Sequence, residues 1–90
     1  MAIRSLIKGA EAACGTNAAG ASTFGSATIV RVVNTGTTVR VVNVITEVGG
    51  SAVGSFSLPG GAVEHIEKQS AHAIYAASDE VRGCQVGYSQ

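Results

Sequence analysis

Ninety residues with no net charge make one small domain at most, and the composition is apolar without being bulky: 46% hydrophobic but only 4% aromatic and 13% charged. No apolar run approaches the roughly 18 residues of a membrane span, no basic start leads into a long apolar stretch that reads as a secretory signal, and six Lys and Arg scattered from Arg4 to Arg82 leave no basic block for nucleic acid. A chain this short buries only about 60% of its unfolded surface when it folds alone, so assembly with further copies, or docking on something larger, is the expectation.

The first eight residues allow two readings. Ile3, Leu6 and Ile7 fall at helical spacing, yet Gly9 interrupts early, and such a helix is shorter than the roughly 12 to 15 residues at which isolated helices become marginal. An extended first strand is the preferred reading. Residues 9–27 follow, of which 15 of 19 are Gly, Ala, Ser or Thr, with Phe24 the only large side chain. The apolar area of such a stretch is too small to offset about 1 to 2 kcal/mol of backbone entropy per ordered residue. Residues 1–25 therefore read as an extended Ala- and Gly-rich N-terminal arm that needs a surface to order on, and residues 26–90 as the folded domain.

From residue 26 the period is that of strands. Residues 26–34 and 38–45 are rich in Val, Ile and Thr, which fit a pleated surface better than a helix. The segment VRVVN occurs at 30–34 and again at 39–43, a pattern that suits a hairpin. With Gly36-Thr37 as a two-residue turn, Val32 would face Val41, Val30 would face Asn43 and Arg31 would face Val42. This register puts Arg31 and Arg40 on one face and Val30, Val32, Val39 and Val41 on the other.

Residues 53–58 alternate, with Phe56 and Leu58 on one side and Ser55 and Ser57 on the other. Leu58-Pro59-Gly60-Gly61 is a type II turn signal with Gly60 in the third position. Residues 62–68 make an amphipathic strand in which Val63 and Ile66 have opposite parity, so a bulge or a strand touching two layers is expected. Residues 72–76 and 81–88 complete the set, the latter with Cys84, Val86 and Tyr88 on one side. Six or seven short antiparallel strands at this spacing define an all-β chain, a small β-sandwich or Ig-like barrel with an extended N-terminal arm.

Few residues here carry chemistry. Glu64, His65 and His72 match no zinc spacing, and neighbouring Glu64 and His65 point to opposite strand faces. Cys84 has no electropositive setting to lower its pKa, so a buried structural thiol is the better account. Cys14 and Cys84 allow one bridge, with two free small hydrophobes as the ordinary alternative. The glycine pairs 49–50 and 60–61 open no helix and so cradle no phosphate. No catalytic residue, metal or cofactor is implied. The partner-binding candidates are Ile3, Leu6, Ile7 and Phe24 in the arm, together with Arg31 and Arg40, whose shared face suits an acidic patch on a neighbour or simply covers sheet surface with aliphatic stems.

The segments RVVNTG (31–36), GSFSLPGG (54–61), EKQS (67–70) and YAASDEV (75–81), with a fainter match in the opening MAIRSLIKG, resemble small Val- and Gly-rich virion structural proteins of tailed bacteriophages, especially phages of cyanobacteria and other aquatic bacteria. The resemblance spans roughly residues 26–88 and rests on turn and strand chemistry, so no functional residue carries over. It implies a non-enzymatic capsid decoration or cement protein on the virion surface, assembled in the host cytoplasm. Its partners would be the major capsid protein or another virion protein and further copies of itself, with neither nucleic acid nor membrane involved. Two alternatives stay open: a tail, neck or fibre-associated component, and a carbohydrate-binding β-sandwich. The latter needs exposed aromatics and is poorly supplied with four aromatic residues in all.

Overall fold

The β-branched runs after residue 26 become strands throughout. A computed structural model describes residues 4–89, with strands β1 (Arg4–Ile7), β2 (Ala12–Ala13), β3 (Ile29–Asn34), β4 (Arg40–Ile45), β5 (Ala52–Leu58), β6 (Val63–Glu67), β7 (Ala73–Ala76) and β8 (Val81–Ser89), and a single 3-10 turn at Ala18–Gly20. All pairings are antiparallel. One sheet runs β1-β8-β3-β6, with β2 also on β8, and the other runs β5-β4-β7. This is the small β-sandwich expected from the period-two pattern, and its first strand is extended rather than helical.

The expected hairpin between the two VRVVN segments does not form. Val32 lies between Glu64 of β6 and Gly83 of β8, whereas Val42 lies between Phe56 of β5 and Ala76 of β7. The chain leaves one sheet after Asn34 and enters the other at Arg40, so the repeated segments stand in different sheets. Val30, Val32 and Val42 are all fully buried in one cluster with Leu58, Ile74 and Val81. Two Val-rich strands in facing sheets bury their apolar sides against each other, whereas side by side in one sheet they would both need a third element to cover them. The face assignment on β4 also reverses: Val42 is buried, while Val39 and Val41 are 55% and 50% exposed. Arg31 and Arg40 consequently share no face.

Asn34 makes the crossover possible. Its side chain is buried, and its Nδ2 donates to the carbonyls of Thr38 at 2.7 Å and Leu58 at 2.9 Å, while its Oδ1 accepts from Gly36 N at 3.0 Å. The backbone of the same residue donates to Ala62 O and accepts from Gly61 N. One side chain at the end of β3 thus holds both the turn that follows it and the end of β5 in the opposite sheet. The neighbouring loop is docked by Thr35, whose N and Oγ1 both donate to Glu80 O.

Two smaller expectations shift for steric reasons. The turn after β5 is Pro59-Gly60-Gly61-Ala62, closed by Ala62 N to Pro59 O at 3.0 Å, with Gly61 at φ +78° in the third position. Gly60 is needed for another reason, since a Cβ there would lie 2.7 Å from the Thr37 backbone. Moreover, β6 pairs with β3 in unbroken register, so the expected bulge is absent. Val63, 39% exposed, and Ile66, packed on the core, fall on opposite faces of this edge strand, as their opposite parity requires. The irregularity falls instead between Val44 and Ile45, opposite β5.

Asn34→Ala leaves the buried Leu58 carbonyl and the partly buried Thr38 carbonyl without their donor. Urea unfolding followed by circular dichroism should show a loss of about 2 to 4 kcal/mol. Asn34→Asp, which replaces that donor with a carboxylate facing the same two carbonyls, should be at least as damaging.

Candidate functional site

The small residues between 9 and 27 let the chain lie close against both sheets. Cys14 N donates to Val81 O, Ala76 N to Gly15 O, Gly49 N to Ala18 O, and Ser22 and Ile74 exchange a reciprocal pair of 3.0 and 2.8 Å. Gly15 sits at φ +89°, and a Cβ there would overlap the Gly20 carbonyl. Asn17 Oδ1 accepts from Gly20 N at 2.7 Å and fixes the 3-10 turn. This segment is therefore a strap that joins the β8 edge of one sheet to the β7 edge of the other. The surface on which it orders is its own chain, so the composition change near residue 25 is not a break in packing.

Phe24 anchors the strap. It is 8% exposed, and its ring covers Gly83, where an added Cβ would stand 2.6 Å from Cζ. It belongs to the core cluster and is not available to a partner, which corrects the expectation from sequence. The only positive-φ non-glycine residues among those described are Phe24 and Ser26, flanking Gly25, which also has positive φ. This backbone is costly for side-chain-bearing residues, and burial of the ring and the bonds from Ala27 N to Thr23 O and Ser26 N to Thr23 Oγ1 hold it.

The two arginines are likewise engaged, on separate sheets. Arg31 lies 3.7 Å from Glu11, which also faces Arg82 at 3.4 Å, and Arg40 bonds Glu80 at 2.8 Å. The Arg40 guanidinium, helped by the Ser78 hydroxyl, holds the Glu80 carboxyl below its ordinary range. Partly exposed pairs of this kind contribute little to stability, and they fix loops in place. Of the remaining candidates, Leu6 and Ile7 on β1 are 52% and 62% exposed, on opposite faces of the strand at the rim of the larger sheet. Ile3 lies outside the described residues.

On the side opposite the strap the sandwich is open. Strands β5 and β6 each have one paired neighbour, and between them runs an open groove of about 580 Å³ whose floor is Val44, Val53, Phe56 and Ile66. Lys68 and His72 stand on its lining. The Lys68 side chain is nearly buried and donates from Nζ to Ala27 O at 2.6 Å, tying the end of β6 to the end of the strap. Burial holds its ammonium pKa below the usual lysine range. Glu64 and His65 take opposite faces of β6, in register with Val32 and Arg31 respectively. Among the described residues no three His, Cys, Asp or Glu side chains gather in a way that could hold a metal.

Both cysteines are buried and unbridged. Cys84 Sγ donates to Gly9 O at 3.0 Å, and Cys14 packs in the main core. Sequence reasoning missed the groove and the strap because both depend on which strand edges lie side by side.

Comparison of this chain with protein families, curated proteins and solved structures finds no match.

Burial pushes the Cys14 thiol up from 9.0 to about 11. The folded state then keeps its proton where the unfolded chain has lost it, so this group's stabilising contribution is complete below pH 9.0 and declines as pH rises toward about 11. Thiolate absorption in a Cys84→Ser variant should titrate about two units higher in buffer than in denaturant.

Proposed function

We propose that this protein is a non-enzymatic structural component of a phage virion, most specifically a decoration protein that binds the capsid shell and stabilises it. The observation that carries the reading is how the exposed apolar side chains are placed. Leu6 and Ile7 on β1 and Val39 and Val41 beside and on β4 lie open on the faces and rim of the sandwich, while the charged groups of Arg31, Arg40, Glu11 and Glu80 are paired within the chain. Exposed apolar side chains spread over the surface in this way suit contact with a large protein surface better than capture of a small molecule. A net charge of zero lets many copies crowd without mutual repulsion. The resemblance of the 31–36, 54–61, 67–70 and 75–81 segments to phage virion proteins supports the same reading.

In this role Leu6 and Ile7 are the anchors on the shell, and the strap keeps them at a fixed place on the rim. A tail or neck component would use the same surfaces in far fewer copies. Quantitative mass spectrometry of purified particles separates the two. Copies on the order of hundreds per particle support decoration, a count of about six or twelve supports a ring-symmetric neck or tail position, and absence from particles contradicts both. The double substitution Leu6→Asp and Ile7→Asp should lower occupancy about tenfold or more and change the melting temperature of the free protein far less than a core substitution does, since more than half of each side chain is in water.

A further inference from the structure

The chain's least protected strand edge is β5. Its sequence, AVGSFSL, contains no charge and no proline, and Ser55 and Ser57 are exposed. Edges are normally blunted by charge, proline or a covering segment. The other free edge on this side, β6, is protected by Glu64, His65 and Glu67, and the β7 and β8 edges are covered by the strap. The outer edge of β1 carries Arg4, and among the described residues β5 is the strand edge left with neither charge nor cover.

Its own sequence fits it to a second copy. In an antiparallel two-fold pairing centred on Ser55, Ser55 meets itself, Val53 meets Ser57, and Gly54 meets Phe56 twice. Gly54 and Phe56 face the core side of the sheet, in register with Val44 and Val42. A Cβ on Gly54 would find nothing within 4 Å. The half-buried Phe56 ring of a second copy would occupy that space, and an aromatic side chain across from a strand glycine is an established way to restore the packing the glycine lacks. The uncharged strand meets its symmetry mate without like-charge contact, whereas β6 against β6 would bring the Glu64 and Glu67 side chains of two copies together.

We infer that the protein forms a two-fold dimer by pairing β5 with β5 of a second copy, giving one six-stranded sheet in the order β7-β4-β5-β5-β4-β7, with each Phe56 seated over the other copy's Gly54. Such an interface is isologous and closes on itself. It stands whether or not the dimer is displayed on a particle.

Sedimentation and light scattering of the purified chain test it. The wild type should be dimeric, and Ser55→Lys, which sets two ammonium groups against each other at the two-fold axis, should raise the dissociation constant by about tenfold or more with an unchanged β-sheet spectrum. Ser55→Cys should give a disulfide-linked dimer on mild oxidation, because directly opposed residues lie about 4.5 to 5.5 Å apart at Cα, within disulfide reach. Ser57→Cys, which faces Val53 of the other copy, should not. A wild type that stays monomeric at all concentrations, a dimer untouched by Ser55→Lys, or cross-linking at Ser57 as efficient as at Ser55 would each overturn the inference. Should Ser55→Lys fail to fold, the comparison of the two cysteine variants still decides it. None of these outcomes bears on particle binding, which is read separately from occupancy.

Discussion

Asn34 decides where the chain goes. A buried amide at the end of a strand must satisfy its polar atoms, and Asn34 does so by bonding forward to Gly36 and Thr38 and across to Leu58 in the other sheet. The Val-rich strand that follows is thereby carried over the core instead of folding back beside its predecessor. β3 is left free to take β6 and β8 as neighbours, and β4 to take β5 and β7. The facing valines of the two strands become the core.

From that crossover follows an asymmetry between the two sides of the sandwich. Residues 9–27 have too little apolar area to fold alone, but their small side chains allow backbone-to-backbone bonding to β7, β8 and the loop before β5. They close one side. Phe24 over Gly83 and Lys68 to Ala27 O fasten the end of the strap to the larger sheet. Among the described residues no segment lies along the outer edges of β5 and β6, and that side holds the apolar groove and the uncharged edge. A small domain that closes one flank with its own chain and exposes strand edge on the other is suited to assembly, which is the role proposed for it.

Strand identity was legible in the sequence wherever local alternation carried it. Val30, Val32 and Leu58 are buried as their spacing requires, and the all-β class follows from such alternation. Strand partners were not legible. Asn34-Thr35-Gly36-Thr37 reads as a tight hairpin turn, and the contact that makes it a crossover, Asn34 to the Leu58 carbonyl, spans 24 positions. The one-residue displacement of the Pro59 turn has the same origin, because it depends on how closely Gly60 approaches Thr37. Of the binding candidates, Leu6 and Ile7 are exposed, whereas Phe24 is consumed by the core and the arginines by Glu11 and Glu80. A lone aromatic in a run of small residues gives no sign of whether its pocket belongs to its own chain. Here that pocket is created by a glycine 59 positions later, at Gly83.

The central claim is that residues 12–27 are part of the fold and close one flank of the sandwich. Residue-resolved amide hydrogen exchange tests it most directly. The Ser22 and Ile74 amides, which bond each other's carbonyls across the closed side, should exchange as slowly as the β3 amides that share the core. Exchange at both positions as fast as in unprotected loop residues, with β3 still protected, would show a strap that does not hold and would contradict the account.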